Sequence, residues 1–284
     1  MIPAPFDYFS PGSLQEAIDL LSSREDAKVL AGGQSLVPLM KLRLAKPRSI
    51  IDLSRIPDLG YIREQGNGVA IGAMTTHAEI EASDLLRKRC PLLPQTAMTI
   101  ADVQVRNQGT IGGSIAHADP AGDIPAAVLA LDAEIRVVGP KGERVIKAGD
   151  FFLGLLMSAL EPDEILTEIL VPAPEEAKTA YLKAAPRASG FAVVGVAVCL
   201  KLGRDGTCRE IAVGVTGVGD RPYRAESVEK ALTGSKLEPK FIREAAAQAT
   251  AGTGVVEDIN GSKEYRSHLA QIYVARAVEA AMNS

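Results

Sequence analysis

Two paired-glycine segments carry the clearest chemical potential in this sequence. They are Ala31-Gly32-Gly33-Gln34-Ser35 and Thr110-Ile111-Gly112-Gly113-Ser114. Without a Cβ, successive backbone N–H groups can converge on one concave site, and near a helix N-terminus such a site stabilises a phosphate. Two such segments predict a diphosphate site, although an ordinary tight turn would explain either one alone. Neither matches the P-loop or the G-x-G-x-x-G fingerprint, so an ATPase and a Rossmann nicotinamide domain are disfavoured.

Other polar residues near these segments are open to two interpretations. Asp123 could accept a hydrogen bond from a sugar hydroxyl or a polar ring edge, or it could simply form a turn. His117 could border a bound ligand or be a buried, hydrogen-bonded histidine. His77 and His268 have no paired ligands, so a metal site is not predicted. No G-x-S-x-G segment occurs and no cysteine lies near a histidine in sequence, so a nucleophilic hydrolase is not indicated.

Composition excludes several classes of partner and site. Net charge is −4, aromatic residues make up 4% and tryptophan is absent, so nucleic acid is not an expected partner. The three cysteines, Cys90, Cys199 and Cys208, are isolated, which predicts reduced thiols in or near the core and no cluster ligands. No stretch of about 18 apolar residues and no secretory signal is found, so we expect a cytoplasmic protein without a membrane span.

The hydrophobic pattern predicts the elements that must position the glycine segments. Residues 1–175 open as α+β or α/β, and residues 103–125 show no helical period and are predicted to be a long functional loop. A hairpin signal, Gly203-Arg204-Asp205-Gly206, joins two long strands in a second domain, residues 176–284. The predicted helices cover residues 13–21, 36–44, 77–81, 91–100, 126–131, 225–232, 239–250 and 262–282. The predicted strands cover residues 28–31, 49–52, 69–71, 134–138, 143–146, 165–171, 191–202 and 208–218.

With these residues in place, the sequence resembles the FAD-binding medium subunit of the xanthine dehydrogenase and carbon monoxide dehydrogenase family, the molybdenum hydroxylases. The likeness rests on the two glycine segments and runs along the whole chain. It continues in Met40-Lys41-Leu42-Arg43, in Ile71-Gly72-Ala73-Met74-Thr75-Thr76, in Val105-Arg106-Asn107, and in Asp119-Pro120-Ala121-Gly122-Asp123-Ile124-Pro125. The resemblance implies an α+β fold: a two-part FAD-binding domain of the vanillyl-alcohol-oxidase type, followed by a small antiparallel sheet with helices.

The resemblance also implies the residues that bind FAD. The two glycine segments would wrap the diphosphate, Asp123 would bind the cofactor, Lys183 would lie near the flavin ring and Phe191 would pack on it. The family often has an aspartate before that aromatic residue, where this chain has Gly190 and therefore no carboxylate. The full expected set is Val29, Leu30, Ala31, Gly32, Gly33, Gln34, Ser35, Leu36, Ala101, Thr110, Ile111, Gly112, Gly113, Ser114, Asp123, Lys183 and Phe191.

By the same resemblance, the chain transfers electrons within an assembly. An iron–sulfur small subunit with two 2Fe–2S clusters and a molybdenum large subunit with a molybdopterin cofactor would be its partners, as a dimer of heterotrimers. FAD would be the cofactor of this chain, which would pass electrons to an external acceptor. Two alternatives stay open: a free-standing FAD-dependent oxidoreductase acting on a small alcohol, and a non-enzymatic dinucleotide-binding module. The hydroxylase substrate is not predicted.

Overall fold

The first structural unit is a small parallel sheet with two helices. The structure, a computed structural model, describes residues 2–173, 176–186 and 190–284. The first unit contains β1 (Asp7–Phe9), α1 (Leu14–Ser23), β2 (Ala27–Leu30), α2 (Leu36–Lys41) and β3 (Ser49–Asp52), with sheet order β1-β3-β2. Helix α1 begins where predicted because the Ser13 hydroxyl accepts a hydrogen bond from the Glu16 amide at 3.2 Å. Its buried face packs on β3 to form a separate core.

The second unit is a mixed layer of helices and an antiparallel sheet of order β4-β5-β10-β6-β7. Its strands are β4 (Ile62–Gln65), β5 (Gly68–Gly72), β6 (Glu134–Gly139), β7 (Gly142–Lys147), β8 (Phe152–Gly154), β9 (Met157–Ser158) and β10 (Ile165–Pro172). Its helices are α3 (His77–Ala82), α4 (Asp84–Arg89), α5 (Leu92–Ala97), α6 (Val103–Gln108), α7 (Ile111–His117), α8 (Asp123–Ala130) and α9 (Ala148–Phe151).

The prediction of a long loop over residues 103–125 is wrong, because the segment forms α6, α7 and the start of α8. Helices α6 and α7 each begin after a residue whose side chain caps the helix. Asp102 accepts from the Val105 amide at 2.9 Å, and Thr110 accepts from the Gly113 amide at 3.2 Å. Two glycines lower the helix propensity of α7, and they obscure the helical periodicity of its apolar residues in the sequence. Burial of Ile111 and Ile115 in the main core stabilises α7 instead.

The third unit is an antiparallel sheet covered by helices. It contains β11 (Lys178–Ala184), β12 (Val194–Leu202), β13 (Cys208–Thr216), β14 (Tyr223–Arg224), α10 (Glu226–Leu232), α11 (Pro239–Ala246) and α12 (Lys263–Met282), with sheet order β11-β12-β13-β14. The predicted hairpin between β12 and β13 is confirmed. Gly206 has φ +79°, and the Gly203 amide donates to the Thr207 carbonyl at 2.7 Å. Strand β11 was not predicted.

Helix α8 connects the second and third units. All eight of its residues are buried, and all of them except Asp123 are apolar, as is typical of a helix packed on every side. Strands β12 and β13 pack against it, and a Cβ on Gly214 would lie 2.0 Å from the Ala126 carbonyl oxygen. Glycine therefore allows the sheet of the third unit to lie directly on this helix. This mixture of helices with separate sheets confirms the predicted α+β class.

Two expectations from composition concern the chain as a whole. The three cysteines are free, with Cys90 and Cys208 buried and Cys199 half-buried. Burial raises the pKa of Cys90 to about 12, so its thiol stays protonated at neutral pH, as expected of a core cysteine. Across the described residues, no helix combines the length and apolar character that crossing a membrane requires.

Candidate cofactor-binding site

A cleft of about 710 Å³ is lined by residues of all three units. Its volume falls within the range of small-molecule and cofactor sites, about 300 to 1,000 Å³. Both paired-glycine segments line this cleft, although more than 70 residues separate them in sequence. The fold therefore brings together the two features that the sequence predicted to act jointly.

The first glycine segment offers a row of free backbone donors. It lies between β2 and α2, and Gly33 has φ +70°, a conformation that glycine adopts readily. None of the amides of residues 32–36 donates to an acceptor within the described chain. These amides stand at the N-terminus of α2, where helix geometry leaves N–H groups unpaired and the dipole favours an anion. The arrangement fits the diphosphate of FAD.

The second glycine segment differs from the first in that its backbone donors are already used. The amides of Ile111 and Gly112 donate to the carbonyls of Thr75 and Ala73 at 3.0 and 2.9 Å. The Gly113 amide is taken by the Thr110 hydroxyl. The expectation that this segment presents free amides to a phosphate is therefore wrong. It still lines the cleft, through Thr110, Gly112, Gly113 and Ser114.

Glycines allow the backbone of each segment to lie very close to a neighbouring part of the chain. A Cβ on Gly32 would lie 1.9 Å from the Gln108 carbonyl oxygen and 2.8 Å from the Gly109 Cα. A Cβ on Gly112 would lie 2.5 Å from the Ala73 Cβ. These distances are shorter than van der Waals contact. The first segment thus packs backbone to backbone on residues 108–109, just before the second, so both walls of the cleft are held at a fixed separation.

A buried polar network centred on Asp123 borders the cleft. The Tyr181 hydroxyl donates to Asp123 Oδ1, and the Lys183 ammonium donates to Asp123 Oδ2 at 2.9 Å. Lys183 also donates to the carbonyls of Thr99 and Gly190, both at 2.7 Å. Burial raises the pKa of the Asp123 carboxyl group, and the attraction of Lys183 opposes that rise. Burial and the neighbouring Asp123 raise the pKa of Tyr181 well above its usual value, so its hydroxyl remains a donor.

Most of the predicted site residues line the cleft. Ala101 does so in the left-handed region, at φ +38°, and Phe191 does so with 57% of its surface exposed. Ile111 does not line it, because its side chain is buried in the core and anchors α7. Lys183 does not line it either. Residues 187–189, which precede Gly190 in the segment compared with the family, lie outside the described residues. The predicted residues at the cleft are Val29, Leu30, Ala31, Gly32, Gly33, Gln34, Ser35, Leu36, Ala101, Thr110, Gly112, Gly113, Ser114, Asp123 and Phe191.

Sequence reasoning missed part of the cleft wall. The hairpin of β8 and β9 contributes Leu156, Met157 and Ser158, which carry no chemical signature in the sequence. His77 also lines the cleft, 4% exposed, with no hydrogen-bond partner for Nδ1. Burial and the nearby Arg106 lower the pKa of His77 to about 4, so this imidazole is neutral at physiological pH. His117, whose role the sequence left open, lies at the cleft as well.

Comparison with known proteins assigns the chain to a family. Residues 4–174 match the model described as "FAD binding domain in molybdopterin dehydrogenase", and residues 179–281 match "CO dehydrogenase flavoprotein C-terminal domain". The chain is 41% identical over 283 residues to the carbon monoxide dehydrogenase medium chain of Afipia carboxidovorans, covering 99% of this chain and 98% of that one. It is 38% identical over 277 residues to the glyceraldehyde dehydrogenase medium chain of Sulfolobus acidocaldarius, covering 98% of each.

Solved structures give the same result. The fold superposes on a chain of the carbon monoxide dehydrogenase of Hydrogenophaga pseudoflava with a TM-score of 0.97 and 43% identity. The alignment covers 100% of this chain and 99% of that chain. The fold implied by the resemblance is thereby confirmed. The chain belongs to the family of FAD-binding medium subunits of the molybdenum hydroxylases.

Proposed function

We propose that this chain binds one FAD in the cleft and relays electrons from an iron–sulfur partner to an external acceptor. The observation that carries the proposal is the row of free amides at residues 32–36, which provides positive potential for a diphosphate without a lysine. FAD, when bound, supplies a group that takes up electrons singly and releases them singly or in pairs. We place the boundary between the FAD-binding domain and the C-terminal domain at residue 175.

The residues of the chain bind and position the cofactor. The first segment holds the diphosphate, and the second segment fixes the opposite wall and offers the Ser114 hydroxyl. Phe191 packs on the flavin ring, and Leu156 with Met157 excludes water from the cleft. Asp123 lines the cleft while both of its oxygens are engaged by Tyr181 and Lys183. No acid–base catalyst is required of this chain.

The relatives support an assembly whose substrate is bound elsewhere. Medium chains of a carbon monoxide dehydrogenase and a glyceraldehyde dehydrogenase resemble this chain to nearly the same degree, 41% and 38%. Such unlike substrates favour a substrate pocket on another subunit. The proposed partners are an iron–sulfur small subunit with two 2Fe–2S clusters and a large subunit with the molybdopterin cofactor, as a dimer of heterotrimers in the cytoplasm.

Sedimentation of protein purified from its native source tests the assembly. We expect a complex far heavier than the 29.9 kDa chain, because permanent interfaces bury upwards of about 2,000 Å² of largely apolar surface. A monodisperse monomer that oxidises a small alcohol would overturn this and favour the free-standing flavoenzyme. A monomer that binds FAD but is reduced by no donor would favour the dinucleotide-binding module.

FAD is expected to be bound non-covalently, one per chain. The two glycine segments contain neither histidine nor cysteine, the residues that usually carry a covalent flavin in this fold, although His117 lies close after the second. Acid precipitation of the purified protein, followed by absorbance of the supernatant and pellet, measures the attachment. All of the flavin should appear in the supernatant, and a yellow pellet would show a covalent bond.

A further inference from the structure

Lys183 has no hydrogen-bond donor left for a cofactor. An ammonium group carries three N–H donors, and the three acceptors of Lys183 are Asp123 Oδ2 at 2.9 Å and the carbonyls of Thr99 and Gly190 at 2.7 Å. Its side chain is only 8% exposed and does not line the cleft. The family resemblance places Lys183 near the flavin ring, but this geometry leaves it no hydrogen bond to give that ring.

The three acceptors belong to three separate segments, and each segment borders the cleft. Thr99 lies two residues before Ala101, Asp123 itself lines the cleft, and Gly190 lines it beside Phe191. The segments also touch one another, because a Cβ on Gly190 would lie 3.3 Å from the Ala101 Cα. One ammonium group thus joins the turn at residues 99–101, the start of α8 and the residues that carry the aromatic side chain.

Backbone strain at the same place indicates that the arrangement is held by its surroundings. Ala101 has φ +38°, a conformation unfavourable for a residue with a Cβ. Such a conformation persists only where neighbouring contacts determine it, and it is most frequent at functional sites. The contact from Lys183 to the Thr99 carbonyl and the packing of Gly190 on Ala101 are contacts of that kind.

We propose that Lys183 is a positioning residue, which acts on the cofactor through Phe191 rather than by touching it. The inference rests on the proposed FAD site. From a strand of the C-terminal domain, Lys183 fixes the residue 99–101 turn and the Gly190 backbone, and thereby sets where the Phe191 ring stands at the rim of the cleft. The C-terminal domain therefore contributes to FAD binding without supplying a direct polar ligand.

A double-mutant cycle tests this inference. The FAD dissociation constant is measured for Lys183→Met, Phe191→Ala and the double variant, reconstituted from apoprotein. Lys183→Met should raise it about tenfold, the scale of one charge-assisted hydrogen bond. If Lys183 acts through Phe191, the two effects are not additive. The visible circular dichroism of the bound flavin in Lys183→Met should also shift toward that of Phe191→Ala, which a loss of global stability would not produce.

Lys178 provides a matched control on the same strand. Its ammonium donates to the carbonyls of Met282 and Ser284 at 3.0 and 2.6 Å, away from the cleft. Lys178→Met should leave FAD affinity unchanged. Lys183→Arg covers the case in which Lys183→Met does not fold, since it keeps a positive charge beside Asp123. A planar guanidinium cannot match the three acceptors of an ammonium, so weaker FAD binding is expected here too.

Each outcome decides the inference. An unchanged dissociation constant in Lys183→Met or Lys183→Arg, fully additive effects with Phe191→Ala, or no effect of Phe191→Ala would overturn it. A wild-type chain that binds no FAD would instead refute the proposed function itself, so the two failures are distinguishable.

Discussion

Gly32→Ala is expected to abolish most FAD binding, with a dissociation constant raised by about 100-fold or more. The added Cβ would lie 1.9 Å from the Gln108 carbonyl oxygen and 2.7 Å from its carbonyl carbon. Both are backbone atoms, which cannot rotate away as a side chain could. The first segment must therefore move off residues 108–109 and take its row of free amides with it. Titration of apoprotein with FAD, followed by visible absorbance, measures the change.

Gly12→Ala is the matched control for this substitution. Gly12 also precedes a helix, but a Cβ there would meet no atom within 4 Å. The FAD dissociation constant of the Gly12→Ala variant should equal that of the wild type. Full flavin occupancy in Gly32→Ala at wild-type affinity would show that the contact of the first segment with residues 108–109 does not matter for the site.

Asp123→Asn should lower the free energy of unfolding by about 3 kcal/mol, because it leaves the buried Lys183 ammonium without its counter-charge. The side chains of Asp123 and Lys183 are 7% and 8% exposed, so water cannot replace the lost partner. The pair also links α8 to β11, so the substitution should destabilise both domains. Chemical denaturation of the apoprotein, which removes any contribution from bound FAD, gives the measurement.

Two further variants show whether the ion pair is the cause. Asp19→Asn removes a charge from an exposed position on α1 and should change stability by less than about 0.5 kcal/mol. Asp123→Asn combined with Lys183→Met removes both charges and should recover part of the loss. Equal stability of Asp123→Asn and the wild type would contradict the account of this pair.

Local sequence signals predicted much of the fold and both glycine segments that line the cleft. Ser13 marks the start of α1, and the Gly203 to Gly206 turn marks the β12–β13 hairpin, because capping and turn chemistry act over a few residues. The glycine segments marked both walls of the cleft for the same reason. Residues 103–125 were misinterpreted because two glycines weaken the period of α7. The sequence did contain a signal for these helices, because Asp102 and Thr110 are residue types that commonly cap helix N-termini.

The remainder of the site depends on contacts between residues that are far apart in the sequence. Asp123 meets Tyr181 and Lys183 across 58 and 60 residues, and no periodicity links them. The β8–β9 hairpin is apolar, so nothing distinguishes its cleft residues from core residues. Whether an amide is free or already bonded is also a tertiary property. The sequence could not show that the first segment keeps its donors free while the second uses them.

Direct reduction of the bound flavin is the sharpest test of the proposed relay. The iron–sulfur partner, reduced by dithionite and freed of excess reductant, is mixed anaerobically with the FAD-loaded chain while visible absorbance is recorded. We expect flavin absorbance to fall as the clusters are reoxidised, and small alcohols added in place of the partner to leave the flavin oxidised. A flavin that stays oxidised with the reduced partner, or is bleached by a small alcohol alone, would contradict the account.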